Sequence, residues 1–247
     1  MRQRRRPATA EPYVSTHYGA IDRMIASACL TGKSDRHLVT LSGSHRLQPE
    51  AVEAFTAMRQ AAQRDGFNLQ PASTFRDFER QRQIWNGKFT GQRPLLDQHS
   101  QPLDALALDE GARCEAILRW SALPGGSRHH WGSDLDIYDP DRLPAGQKLQ
   151  LEPWEYQPGG YFADLSDWLA QHMAAFGFYR PFAQDSGGVA IEPWHLSYAP
   201  LARLAMAQLT PEHILQAWQG EDIAGRSWLE SNLPMLFQRF ILSVEAQ

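Results

Sequence analysis

The chain has 247 residues, 43% of them hydrophobic, and a formal net charge of −4. That is enough apolar material for one enzyme-sized core, and the slight acidity gives no electrostatic basis for binding nucleic acid. No apolar run of about 18 residues is available to span a membrane, and two cysteines, Cys29 and Cys114, make no disulfide framework.

The chain opens on a basic cluster, Arg2 and Arg4 to Arg6, expected as a flexible, solvated tail over residues 1–20. Behind it the sequence turns polar at once. A secretory leader needs an apolar run of about 7–15 residues there, so a cytoplasmic location is expected, and the cysteine usage agrees with it.

Residues 49–65 predict a helix, with Val52, Phe55, Met58 and Ala62 at helical spacing and Gly66 as its stop. A short strand over 67–72 follows and delivers Ser73 and Arg76 to its end. Residues 77–88 predict a second helix and 109–120 a third, ahead of a Pro124-Gly125-Gly126 turn. Residues 132–138 read as a strand ended by Asp139-Pro140.

The stretch from there to Gly160 predicts a long loop, perched over the strand as a lid. A helix over 162–176 stops at Gly177. The segments 178–182 and 189–198 then form an antiparallel pair, and from residue 201 the chain is helical, with Thr210-Pro211-Glu212 as a helix start. The expectation is an α+β fold: a small antiparallel sheet packed by helices, with a domain over 21–200 and a helical extension over 201–247 packed on it.

Two segments carry the chemistry. The first is Ser127-Arg128-His129-His130-Trp131-Gly132-Ser133-Asp134-Leu135-Asp136, and the second is Glu192-Pro193-Trp194-His195. Together they read as a split zinc site in which two imidazoles and one carboxylate leave a fourth position open, the ligand count of a catalytic zinc. Glu192 is then left over for proton transfer.

On a strand Asp134 points the same way as Asp136. It is therefore a second candidate ligand, or a group that orients a ligand histidine; the spacing from His129 favours Asp136. His130 would face away from His129 and have a packing or orienting role. Glu192 and His195, three apart, would fall on opposite strand faces unless the chain bends at Pro193.

These segments, in the pattern Ser-x-His-x-x-Gly-x-x-x-Asp followed by Glu-x-x-His, resemble the VanY-type D-alanyl-D-alanine carboxypeptidases of metallopeptidase family M15. Ser73-Thr74-Phe75-Arg76, with Gln81 beyond it, is similar to the family's Ser-x-x-Arg segment. The resemblance spans about residues 38–200 by the position of its motifs. It implies Zn²⁺ held by His129, Asp136 and His195, and Glu192 as catalytic base.

The resemblance also assigns Arg76 to the substrate's C-terminal carboxylate, since guanidinium pairs with carboxylate through two parallel hydrogen bonds. Ser73, Gln81 and Ser127 belong to the same pocket, and Trp194 and Tyr198 are candidate pocket walls. The implied substrate is a peptidoglycan-derived peptide. A cytoplasmic enzyme removing D-alanine from new pentapeptide precursors would starve wall synthesis, so LD-carboxypeptidase trimming of recycled tetrapeptides to tripeptides is the favoured reading. DD-carboxypeptidase action, a lysin-like endopeptidase, and a non-catalytic zinc-stabilised binding protein are the alternatives.

Overall fold

The computed structural model describes residues 24–97 and 100–243, so the basic segment expected as a tail over residues 1–20 lies outside the described residues. In chain order the elements begin with α1 (Ser27–Leu30), β1 (Val39–Ser42), β2 (His45–Leu47) and α2 (Pro49–Arg64). They continue with β3 (Gln70–Ser73), α3 (Phe78–Phe89), β4 (Leu95–Leu96), β5 (Pro102–Leu103) and α4 (Glu110–Leu118). Next come β6 (Asp134–Tyr138), α5 (Pro153–Tyr156), α6 (Ala163–His172), β7 (Phe178–Tyr179) and β8 (His195–Tyr198). The chain finishes in α7 (Ala199–Gln208), α8 (Pro211–Ala217) and α9 (Arg226–Phe237).

The expected helices start where the local chemistry permits. Pro49 occupies the first turn of α2, where no backbone donor is needed. Asp77 caps α3 by accepting the Arg80 N–H at 2.7 Å, and Asp109 caps α4 through Ala112. The small hairpins β1–β2 and β4–β5 were not legible from alternation, being two to four residues long.

The central sheet has the order β3-β6-β8-β7, antiparallel throughout. Register does much of the assembly: Asp136 stands opposite His195 on one side and Ser73 on the other. Alternation then divides the sheet. Leu135, Ile137, Leu196 and Tyr198 join Phe55 and Met58 of α2 and Leu165 and Leu169 of α6 in one apolar cluster. Asp134, Asp136, His195 and Ser197 face the other way.

A second cluster forms on that other side. Phe78 and Trp85 of α3, Ile117 of α4 and Trp131 share it with Ile214, Trp218, Leu233 and Phe237 from α8, α9 and the turn between them. The C-terminal helices are thus built into a common core with the residues before the sheet. Beyond α9 a π-helical turn, Gln238–Leu242, sends Phe240 and Ile241 to the edge of the cavity described below.

Two expectations about backbone change. Residues Arg128–Trp131 form a 3₁₀ turn, not the approach to a strand, and all four are buried. Gly132 ends that turn at φ +69°, a left-handed conformation that favours glycine, and a Cβ there would also displace the Leu38 side chain, 2.3 Å away at Cδ2. The stretch expected as a long loop over the site does contribute Gln150, Leu151 and Glu152 to the cavity described below, but it contains the short helix α5 and is pinned: Tyr156 Oη donates to the Ile137 carbonyl at 2.6 Å, and the buried Glu155 carboxylate accepts the N–H groups of Gln150 and Glu152.

Candidate active site

β6, β8, the 128–131 turn and the segment between β3 and α3 converge on one cavity of about 360 Å³. At its floor one ligand atom each from His129, Asp136 and His195 lies within 4.8 Å of the others, and all three residues are buried. Strand register brings Asp136 to His195, and the 3₁₀ turn swings His129 in beside them, with the two imidazole rings 4.9 Å apart and edge to face.

Neighbouring groups select the ring nitrogens. His129 Nδ1 lies 2.8 Å from the Thr74 carbonyl, which can only accept, so Nδ1 carries the proton and Nε2 is free toward Asp136 Oδ2 at 3.4 Å. In His195 the roles are exchanged. Nε2 donates to Asp134 Oδ1 at 2.9 Å, and Nδ1 faces Asp136 Oδ1 at 3.3 Å.

Asp134 is held in turn by Arg128 Nε at 2.8 Å and by the Ser133 hydroxyl. Arg128 completes the chain through Tyr179 Oη at 2.9 Å and Ser197 Oγ at 2.7 Å, with its guanidinium over the Trp131 ring. The carboxylate of Asp134 is therefore consumed by its partners, while Asp136 Oδ1 and His195 Nδ1 are buried with no hydrogen-bond partner among the described residues. Orphaned buried polar atoms are rare and call for an occupant. Two imidazole nitrogens and a carboxylate oxygen are the donor set that zinc takes, and these residues fit it.

The charges agree with a site built for a cation. Burial opposes ionisation of Asp136, but His129 and His195 outweigh it and hold its carboxyl well below the usual range. Burial disfavours a charged His195, yet the carboxylates of Asp134 and Asp136 push it up to about 9, so without a metal Nδ1 holds a proton in the place that a cation would take. Burial pushes Glu192 up to about 7 against the pull of His195.

Glu192 sits just ahead of β8 in a tight turn closed by His195 N–H to the Glu192 carbonyl at 3.1 Å, with Pro193 inside it. The bend that the odd spacing demands is this turn, and it brings Glu192 Oε2 to 3.5 Å from His195 Nδ1. Arg76 lines the same cavity. Its guanidinium donates to Gln81 Oε1 at 2.9 Å and Ser73 Oγ at 3.3 Å. Its backbone is clamped by the 128–131 turn: Arg76 N–H donates to the His129 carbonyl at 3.2 Å, and His130 Nδ1 donates to the Arg76 carbonyl at 2.6 Å.

Ser127 and Trp194 also line the cavity. Tyr198 does not. Three residues after His195 it falls on the opposite face of β8, where its ring packs on Phe178 at 5.3 Å. His130 has the orienting role expected of it, donating to the Arg76 carbonyl and accepting the Gly125 N–H at Nε2, although it does so from a 3₁₀ turn and not from a strand. Arg128, Thr74, Lys88, Arg93 and Phe182 were not singled out from sequence. Arg128 and Thr74 occupy free positions within the first motif and the Ser-x-x-Arg segment, and the rest lie outside the motifs.

The family model described as VanY, D-alanyl-D-alanine carboxypeptidase, matches residues 44–201. An uncharacterized protein of Haemophilus influenzae is 52% identical over 122 residues, covering 49% of this chain and 93% of its own length. A D-alanyl-D-alanine carboxypeptidase of Enterococcus faecalis is 26% identical over 167 residues, covering 66% of this chain and 52% of that protein. The solved structure of VanYB in complex with D-alanine-D-alanine is 22% identical with a TM-score of 0.49, covering 81% of this chain and 91% of that one.

Proposed function

The chain belongs to the VanY family of D-alanyl-D-alanine carboxypeptidases, and on that premise we propose that it is a zinc-dependent carboxypeptidase that removes the terminal D-alanine of peptidoglycan stem tetrapeptides. The observation that carries the proposal is the convergence, in one cavity, of three buried candidate ligand residues, two of them with a partnerless polar atom, a half-buried carboxylate outside that set, and a guanidinium. His129 Nε2, Asp136 and His195 Nδ1 would hold the zinc. When bound it supplies a Lewis acid that polarises a carbonyl and lowers the pKa of a coordinated water toward neutrality.

The protein's own groups do the rest. Glu192 takes the proton of the attacking water and returns it to the departing amine; a carboxyl pushed up to about 7 suits a group that must accept and release a proton near neutral pH. Arg76, steadied by Ser73 and Gln81, takes the C-terminal carboxylate of the substrate. Trp194 closes one wall. Fixing the terminal carboxylate and the scissile carbonyl together converts binding into orientation.

We place this reaction in cytoplasmic recycling of wall peptides. The free, buried thiols of Cys29 and Cys114 suit a reducing compartment and support that placement. DD-carboxypeptidase action on pentapeptides is the second reading, favoured by the description of the matched family itself. Purified protein incubated with tetrapeptide, pentapeptide and cross-linked muropeptides, with and without chelator, and analysed by mass, separates these readings. Tetrapeptide shortened by one alanine only when metal is present supports the proposal; cleavage confined to cross-links rejects it.

A further inference from the structure

Three cations line the cavity without a carboxylate partner in ion-pair range: Arg76, Lys88 and Arg93. Arg76 has the task described above. Lys88 and Arg93 have none: among the described residues neither side chain is hydrogen-bonded or paired, although both are half-buried. By contrast, Arg46, Arg82 and Arg226, equally half-buried, hold acidic partners.

The two are placed together by backbone. Arg93 N–H donates to the Gly87 carbonyl at 2.8 Å, and the Arg93 side chain lies across Gly87, where a Cβ would stand 2.9 Å from its Cδ. A side chain at position 87 would lift Arg93 away from its neighbour Lys88. The α3 face that holds Arg76 through Gln81 continues through Ile84 to Lys88 along the cavity. Seven residues of helix carry the wall roughly 10 Å from Gln81 to Lys88 at about 1.5 Å per residue.

Burial pulls Lys88 down to about 8, with the Glu192 carboxylate opposing and Arg76 and Arg93 adding to the fall. Two adjacent cations in a partly desolvated wall are unfavourable until an anion joins them. D-alanine has only a methyl side chain, so once Arg76 has the C-terminal carboxylate a second anion must come from the part of the peptide before the scissile bond.

We propose that Lys88 and Arg93 form a second anion-binding pole of the active site, which selects stem peptides bearing another free carboxylate upstream of the scissile bond. This deepens, and rests on, the carboxypeptidase reading above. Two groups of such peptides have that chemistry: the side-chain carboxylate of diaminopimelate, absent from lysine, and the α-carboxylate of γ-linked D-glutamate, absent from its amide.

The test is kcat/KM of the zinc-loaded full chain on peptides that differ only in these groups: diaminopimelate against lysine, and D-isoglutamate against D-isoglutamine, each as tetrapeptide and pentapeptide. The unaltered protein should favour the peptide with the recognised carboxylate by about tenfold or more, mainly through KM. The arm in which the preference appears identifies the carboxylate. Lys88→Met with Arg93→Met should bring that ratio toward one, and Lys88→Glu should invert it.

A ratio near one in both arms for the unaltered protein overturns the proposal. So does a loss of efficiency in the variants that is equal on all peptides, which is what a purely structural role would produce. Peptide length answers a separate question. If only pentapeptides are cut, the tetrapeptide reading fails while the ratios among pentapeptides still judge the anion pole; if neither length is cut, both fail.

Discussion

His195 Nε2 lies 2.9 Å from Asp134 Oδ1, and this contact fixes the proton on the outer ring nitrogen and turns Nδ1 toward Asp136. Asp134 is ionised despite complete burial because Arg128 and the His195 ring outweigh the cost of desolvation. An apolar residue at position 134 would leave His195 free to take either tautomer and Arg128 buried without a counter-ion.

Asp134→Asn should therefore weaken metal binding by about 10–100-fold, the usual effect of removing a group that orients a ligand histidine. Asp134→Ala should in addition destabilise the fold by about 3–5 kcal/mol, since the Arg128 guanidinium remains buried and unpaired. Chelator competition reads the first effect and denaturant melts the second. An Asp134→Asn protein with unchanged metal affinity would show that the contact orients nothing.

Glu192→Gln should keep its metal and lose turnover by about 10²–10⁴-fold, the range for a general base. Metal content by atomic emission, measured on the sample used for kinetics, makes the comparison. Turnover retained at equal metal content excludes Glu192 from proton transfer.

Amidating the substrate's C-terminus removes the charge that Arg76 is placed to receive. Truncating one side of a buried charge pair costs about 2–5 kcal/mol, so cleavage by the unaltered protein should fall steeply on the amide. Arg76→Ala should be poor on both substrates and nearly indifferent to amidation. Equal rates on acid and amide with the unaltered protein would assign Arg76 another role.

His130 is held neutral: burial pulls its imidazole down to about 3, against the hydrogen bond to the Arg76 carbonyl. The folded pKa lies below the unfolded value of about 6.5. Its contribution to stability is therefore fully present above that value and is lost as pH falls toward 3, at up to about 1.4 kcal/mol per pH unit. The stability advantage of the metal-free unaltered protein over His130→Phe should shrink across that window, read by urea titrations at stepped pH. An advantage constant from pH 7 to pH 4 would mean that His130 is not buried neutral.

Local sequence carried a large part of this molecule. The candidate ligands His129, Asp136 and His195, with Glu192 and Arg76, stood out because such residues recur at short, ordered spacings, and the fold brings them to one cavity; α2, α3 and α6 were legible from apolar periodicity and stop signals. The same arithmetic of alternation required a bend between Glu192 and His195, which the structure makes as a turn, and it also placed Tyr198 on the far side of β8 from His195, away from the pocket wall that proximity in sequence had suggested.

What sequence left open depended on partners distant in the chain. Asp134 and Asp136 are equivalent by parity; only the fold brings Arg128, Ser133 and His195 onto the first and leaves an oxygen of the second bare. Phe240 and Ile241 reach the cavity from the end of a motif-free extension, and Lys88 and Arg93 meet beside Gly87. Spacing within a segment determines which chemistry a strand or helix can offer on one face, whereas the partner that completes or consumes each group is set by register between segments far apart in sequence.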